Sequence, residues 1–422
     1  MSQNSHPLRV VWTATLCTAL ALFGDATMYA VLPSQYQAVG ISTLQVGYLL
    51  SVNRLVRLPL NLPSGWLAGR LGPKWPYVLG LAIGTLSTLG YGLAKGLWWL
   101  LPLRALWGVA WALLVVAAYA MILAVSTERT RGRYTGIYAS FSFFGGAIGA
   151  MLGGFLVDAL GFANAMFILG GCSSLACLAA LTLPRLPSAR EQGTRIEDQR
   201  SAHTLSPKLQ PLKFRAPWTS LRELDTRLWL IVWLNFAHRF FFAGVFNSTL
   251  GLYLRSALGE RASIGPWAVG IASLTGTLLF VRNVLTVLIG PGGGHLSDRL
   301  GERRRVLLMG EAAGALGLIC MAMNGSLFLL GLSILMVAGA EGLVPPMLVS
   351  WMGDITRRER RALAVGGYQT MGDLGSGLGP LVAYPLAQWL GLPLVYALAA
   401  GCLLAAAPLI WRSSRPVEQP LY

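Results

Sequence analysis

Gly65-Trp66-Leu67-Ala68-Gly69-Arg70-Leu71-Gly72-Pro73-Lys74 decides how this chain is read, because it returns as Gly294-His295-Leu296-Ser297-Asp298-Arg299-Leu300-Gly301-Glu302-Arg303-Arg304. Positions 65 and 294 lie 229 apart, a little over half of the 422 residues. Each copy follows a long apolar run and ends in a basic turn. Two further pairs keep the same offset: Thr127–Arg131 with Thr356–Arg360, and Asn53-Arg54 with Arg282-Asn283. A helix–basic turn–helix unit repeated at one offset predicts two similar halves. The glycines allow tight turns and close packing at helix ends. Asp298 suits a helix N-terminus, where the dipole favours an anion. Arg and Lys beyond each run hold the helix ends in the cytoplasm.

Composition sets the medium. The chain is 55% hydrophobic and only 12% charged, with mean hydropathy +0.58, whereas a soluble protein carries about 25% charged residues. Apolar runs of roughly 20 residues then indicate an all-α polytopic membrane protein, with the lipid bilayer as its surroundings. The net charge of +16 does not indicate nucleic acid, because the basic residues fall in short loops between apolar runs. Cys17, Cys172, Cys177, Cys320 and Cys402 all fall in apolar runs and show neither a disulfide frame nor a zinc spacing. The first run is too long for a signal-peptide core, so it is expected to be a retained helix.

Twelve spans are expected: 9–36, 43–68, 76–95, 98–124, 134–160, 162–183, 228–254, 267–291, 306–324, 326–350, 364–389 and 391–411. The polar stretch 184–227, with a short surface helix expected at Trp218–Leu228, reads as a cytoplasmic linker. It joins an N-terminal six-helix half, 1–183, to a C-terminal half, 228–422. With both termini inside, cytoplasmic segments hold 25 of the 33 Lys and Arg residues, and the opposite side holds Lys95, Arg255 and Arg261. The chain is therefore expected to be multi-pass with cytoplasmic termini, in a cell membrane and specifically a bacterial inner membrane.

The pattern G-x-x-x-D-R-x-G-x-[RK]-[RK] resembles the signature loop of major facilitator superfamily transporters. The first copy has Gly69 at the Asp position and Pro73 at the first basic one. Gly145-Gly146-Ala147-Ile148-Gly149-Ala150-Met151-Leu152-Gly153-Gly154 resembles the family's antiporter motif, with Ala150 where Pro is expected. Arg104-Ala105-Leu106-Trp107-Gly108 resembles its R-x-x-x-G pattern in helix 4. Gly375-Ser376-Gly377-Leu378-Gly379-Pro380 is a second small-residue face. The resemblance implies two pseudo-symmetric six-helix halves around a central cavity, alternating access, and gating loops at Gly65, Gly69, Arg70, Gly72, Lys74, Gly294, Asp298, Arg299, Gly301 and Arg303. The branch it resembles is that of twelve-helix drug:proton antiporters.

Charges inside the spans mark the candidate site, because each costs roughly 2.5–3.5 kcal/mol at the bilayer centre on the insertion scale unless paired or hydrated. At about 1.5 Å per residue, Arg54 lies ~16 Å above Gly65, with Asp25 slightly higher, so an Asp25–Arg54 bridge is expected, with Arg104 as a further partner. Arg239, Arg282, Glu341 and Asp373 fall near one plane in the second half. Glu311 falls near enough to the cytoplasmic end of its helix to reach the interface. Asn53, Arg57 and Asn61 recur at helical spacing as one polar stripe. The proton-coupling candidates are Asp25, Glu341, Asp373 and His238. The substrate-cavity candidates are Asn53, Arg54, Arg57, Arg104, Trp107, Trp111, Arg239, Arg282 and Asn283. Further aromatics, Tyr119, Phe141, Phe143, Phe144, Phe240, Phe241 and Phe242, are available to line a greasy cavity.

Proton-coupled efflux of small amphipathic molecules is therefore expected. The alternative is a symporter or exchanger of a small organic anion, since, with Glu311 left to the interface, five arginines in the spans stand against Asp25, Glu341 and Asp373, with Asp158 at a helix edge as a fourth acid. No P-loop, nucleophile elbow or metal-ligand spacing occurs, so an enzyme and a cofactor are not expected. The energy source would be a proton or other ion gradient, and the protein is expected to be a monomer.

The topology is open to cysteine labelling. Cysteine placed at Lys95 or Glu260 is expected to react with an impermeant reagent in intact cells, and cysteine at Arg360 only after permeabilisation. External reactivity at position 360 would overturn the layout.

Overall fold

In a bilayer, apolar runs become helices because backbone N–H and C=O groups find no water to bond. The computed structural model describes residues 7–187, 226–264, 266–300, 302–323, 326–356 and 361–412. In the first half, helices run over Pro7–Gln35 (α1), Thr43–Leu71 (α2), Lys74–Leu93 (α3), Leu97–Val125 (α4), Arg131–Leu160 (α5) and Phe162–Leu181 (α6). In the second, α7 runs through three stretches: Thr226–His238, a π-helical Arg239–Phe246, and Asn247–Leu258. Then come Ile271–Leu300 (α8), Arg303–Ala322 (α9), Leu327–Ile355 (α10), Arg361–Leu390 (α11) and Leu392–Arg412 (α12). The linker expected over 184–227 falls largely outside the described residues, as does most of the surface helix expected at Trp218–Leu228.

Among the described residues, nine helices are long and apolar enough to cross a membrane; α2, α3 and α11 are not among them. α2 carries Asn53, Arg54, Arg57 and Asn61, and α11 carries Asp373 among several glycines, prolines and glutamines, which lowers the hydropathy of both. The all-α expectation needs a correction between α7 and α8. Arg261–Ile264 (β1) pairs antiparallel with Trp267–Gly270 (β2), Ala262 facing Val269. Between two helix ends, a short stretch with Ile, Val and Trp can bond its backbone only to itself.

Local signals set the ends. Ser42 and Gln45 form a reciprocal capping box at the start of α2. Gly72 ends α2 at φ +76°, a conformation that favours glycine. The outer surface is apolar: Trp98 and Trp389, each 82% exposed, stand at helix ends, where amphipathic rings suit a membrane–water interface.

The halves repeat one packing scheme. α1 lies on α5, α2 on α4, and α3 on both α4 and α6; correspondingly α7 lies on α11, α8 on α10, and α9 on both α10 and α12. Where the halves meet, α5 packs on α8, α2 on α11, and α1 on α7. Small residues make the first of these contacts close. A Cβ added at Gly276 would lie 2.2 Å from the Ala150 carbonyl oxygen, and one at Gly154 2.3 Å from that of Ala272. The polar bonds across this seam cluster at the same ends of the helices. Asp158 of α5 accepts from the Ser273 N–H (2.7 Å) and Oγ (2.6 Å), so one half caps the first turn of a helix in the other. Arg255 donates to the Ser34 carbonyl and to Gln37 Oε1, and Gln388 donates to Thr43.

Gly276→Leu tests that seam. Overpacking of this kind costs roughly 1–3 kcal/mol. The variant is expected to unfold at a lower temperature, and a cysteine at position 150 is expected to gain reactivity toward reagent added from the sealed end. Unchanged stability and unchanged reactivity would show that the seam is not tight.

Candidate functional site

A cavity of about 560 Å³ lies between the halves, lined from α1, α2, α4, α5, α7, α8 and α10. Its first wall is built on Asp25. Arg104 of α4, fully buried, donates to Asp25 Oδ1 at 2.6 Å and to the Leu49 carbonyl at 3.2 Å. Asn53 donates to the same carboxylate oxygen at 2.9 Å. Oδ2 of Asp25 has no bond among the described residues, and Asp25 lines the cavity. The R-x-x-x-G spacing explains the reach of Arg104. One turn on, a Cβ at Gly108 would lie 2.6 Å from the Asn53 carbonyl oxygen, so α4 sits directly on the backbone of α2.

Arg54 is not the partner of Asp25, which corrects the expected bridge. Its Nε donates to the Tyr29 hydroxyl at 3.1 Å. The guanidiniums of Arg54 and Arg104 stand 5.5 and 5.3 Å from the Tyr29 ring centroid. Axial depth put Arg54 and Asp25 at one level, but on α2 it is Asn53 that faces Asp25.

The opposite wall carries a second pair. Arg282 of α8 lies 3.3 Å from Glu341 of α10 and also donates to Asn247 and Asn283. His238 and Arg239 stand where α7 turns from α- to π-helix, and His238, Arg239, Ala243 and Asn247 all line the cavity. Inserted π turns re-aim side chains and recur at functional sites.

Of the sequence candidates, Asp25, Arg54, Trp111, His238, Arg239, Arg282, Asn283 and Glu341 line the cavity. Asn53, Arg57, Arg104, Trp107 and Asp373 do not. Asn53 and Arg104 stand behind Asp25 and hold it. Arg57 is buried, with Nε on the Asn53 carbonyl and its guanidinium 5.9 Å from the Trp111 ring centroid. Trp107 is turned into the core: a Cβ at Gly84 of α3 would lie 2.5 Å from its ring. On α11, Gly372 and Gly375 face α7 while Gly377 touches Arg54 and Leu55. Asp373 there is within Coulombic reach of Arg54 and Arg57 but forms no ion pair among the described residues.

Two aromatic residues missed from sequence, Tyr29 and Tyr138, line the cavity beside Trp111, Tyr119 and Phe143. Tyr29 is one turn from Asp25, and that i+4 spacing was the available signal. Phe242 of the expected aromatic set is buried instead. Glu311 is a second correction. It is 4% exposed, with its carboxylate 3.9 Å from His238 Nδ1. One turn on, Gly314 packs against the Phe242 ring, which draws α9 onto α7 at that level. A pair so placed can hold one proton between imidazole and carboxyl.

The gating-loop expectations divide. Gly72 supplies the turn after α2, Arg70 lies over Trp66, and Lys74 donates to the Leu181 carbonyl at 2.8 Å. Arg303 pairs with Asp354 at 2.6 Å, while Arg299 is exposed. Gly65, Gly69 and Gly294 make no close helix contact here, contrary to expectation, because the packed ends are the opposite ones. Gly301 and the Asp298 side chain lie outside the described residues.

The chain matches the model of the Major Facilitator Superfamily over residues 14–290 and again over 239–421. It is 25% identical to the multidrug resistance protein MdtG of Escherichia coli over 411 residues, covering 97% of this chain and 94% of that one. An uncharacterised MFS-type transporter of Methanocaldococcus jannaschii is 23% identical over 394 residues, covering 93% of this chain and 94% of that one. In fold, the chain resembles the crystal structure of a bacterial homologue of the human lysosomal transporter Spinster, in an inward-facing and occupied conformation. The TM-score is 0.75, with 16% identity and 97% of each chain covered.

Removing one member of a buried ion pair costs roughly 3–5 kcal/mol, because the other charge is stranded. Arg104→Ala is therefore expected to lower unfolding stability far more than Arg54→Ala, whose partner is an uncharged hydroxyl. The reverse order in thermal unfolding of the purified variants would reassign the partner of Asp25.

Proposed function

The chain belongs to the Major Facilitator Superfamily, and from that premise we propose that it is a proton-coupled exporter of amphipathic small molecules. It is a multi-pass membrane transporter. The fuller reading is twelve spans with both termini cytoplasmic, in a bacterial inner membrane, working as a monomer on a proton gradient without a cofactor. The basic loops support the orientation. On that orientation the packed ends of α5 and α8 face outward, and the cavity opens toward the cytoplasm. Likeness to MdtG supports export of more than one compound, and the aromatic wall supports amphipathic cargo.

The observation that carries proton coupling is the division of the Asp25 carboxylate. One oxygen is held by Arg104 and Asn53, the other has no bond among the described residues, and Asp25 lines the cavity. An ionised carboxylate attracts the guanidinium at 2.6 Å; a neutral one does not, and leaves Arg104 without its counter-charge. A change in its charge therefore alters how α1, α2 and α4 are tied together. A group that is charged in one state and neutral in another can bias two cavity openings. Glu341 beside Arg282 has the same composition on the other wall, with His238 and Asp373 as further carriers.

The test uses reconstituted protein and a compound chosen from an antibiotic panel because expression raises tolerance to it. Asp25→Asn, which fixes the neutral form, is expected to abolish accumulation driven by an imposed pH gradient. Counterflow exchange of the same compound should persist. Full pH-driven transport per folded molecule would remove Asp25 from the coupling role and bring Glu341 forward.

A further inference from the structure

The charges around the cavity do not balance. Two of its arginines, Arg54 on α2 and Arg239 on α7, line it from opposite halves. Among the described residues neither has a carboxylate within ion-pair distance. Of the other buried arginines, Arg104 holds Asp25 and Arg282 holds Glu341, while Arg57 bonds a backbone carbonyl. Asp373 is the one further carboxylate near Arg54, and it must be set against two guanidiniums, Arg54 and Arg57, to which it is bonded by neither. With one proton between them, His238 and Glu311, 3.9 Å apart, add no net charge wherever that proton sits. The site as built therefore holds five guanidiniums against three carboxylates and carries two positive charges in excess.

An excess of fixed positive charge in a low-dielectric cavity raises the local concentration of anions and repels cations. Guanidinium forks match carboxylate, sulfonate and phosphonate oxygens, and their bonds to such groups are among the stronger ones available. Tyr29, Trp111, Tyr119, Tyr138 and Phe143 supply an apolar body next to the charge. We propose that the cavity selects amphipathic organic anions, with the anionic group held between Arg54 and Arg239 and the hydrophobic body against the aromatic wall. Because one arginine comes from each half, such a ligand would bridge the two halves while bound. The inference rests on reading this cavity as the substrate site, and it holds for either direction of transport.

The test is equilibrium dialysis of the purified full-length protein with two probes that share one body and differ in charge, naphthalene-1-sulfonate and naphthalen-1-ylmethylammonium. The sulfonate is expected to bind at least about tenfold more tightly, since a hydrogen bond to a charged group is worth that much. Arg54→Gln and Arg239→Gln are each expected to weaken the sulfonate by about tenfold and to strengthen the ammonium. A merely misfolded variant would lose both probes. Lysine at either position keeps the charge and is expected to recover most of the sulfonate binding. Equal or tighter binding of the ammonium by the unaltered protein, binding of neither probe, or glutamine variants that bind both probes as the unaltered protein does would each overturn the inference. No gradient enters the measurement, so proton coupling stands or falls separately.

Discussion

A guanidinium cannot shed its charge at any useful pH, so an arginine inside a bilayer must be given a partner or water. Five arginines in the spans of this chain impose that requirement, and the middle of the molecule is arranged to meet it. Arg104 is met by Asp25 and the Leu49 carbonyl, Arg282 by Glu341, Asn247 and Asn283, and Arg57 by a backbone carbonyl beside the Trp111 ring. Each solution ties two or three helices together at mid-depth. Arg54 and Arg239 are left at the cavity surface, and they give the cavity its sign.

These contacts depend on how near the helices can come. Gly108 sets α4 on the backbone of α2, so that Arg104 reaches Asp25; Gly314 sets α9 on Phe242, so that Glu311 meets His238. Small residues on α5 work differently at its two faces. Gly145, Gly149 and Gly153 take α1, while Ala150 and Gly154 take α8 of the other half. In a membrane such close packing replaces the hydrophobic drive that holds soluble helices together. One helix thus serves both the interior of a half and the seam between halves. Ala150, standing where the antiporter motif has Pro, is itself part of that seam.

The seam also has a polar component, and its location has a mechanical meaning. Asp158 caps the first turn of α8 from across the seam, and Arg255 of α7 holds the end of α1. Both are replaceable by water once the helix ends separate. The charge pairs at mid-depth lie within one half each, Asp25 with Arg104 and Glu341 with Arg282. Among the described residues, therefore, no ion pair joins the two halves at that depth.

The sequence by itself determined the medium, the helical class and the repeat at an offset of 229, because hydropathy and loop charge are properties of the chain that no partner alters. It also named the acidic, arginine and histidine residues on the cavity wall, Asp25, Arg54, His238, Arg239, Arg282 and Glu341, since any such group deep in an apolar run must be accommodated. The tertiary structure decided which charge meets which. Depth along a helix follows from counting residues, but the direction a side chain faces depends on rotation and on which neighbour comes close. Hence Arg104 rather than Arg54 holds Asp25, Trp107 faces α3 instead of the cavity, and Glu311, assigned to the interface by its depth, is buried against His238. The π turn at Arg239–Phe246 has the same character: it changes the phase of α7 in mid-span, and no periodicity counted at 3.6 residues per turn carries that information.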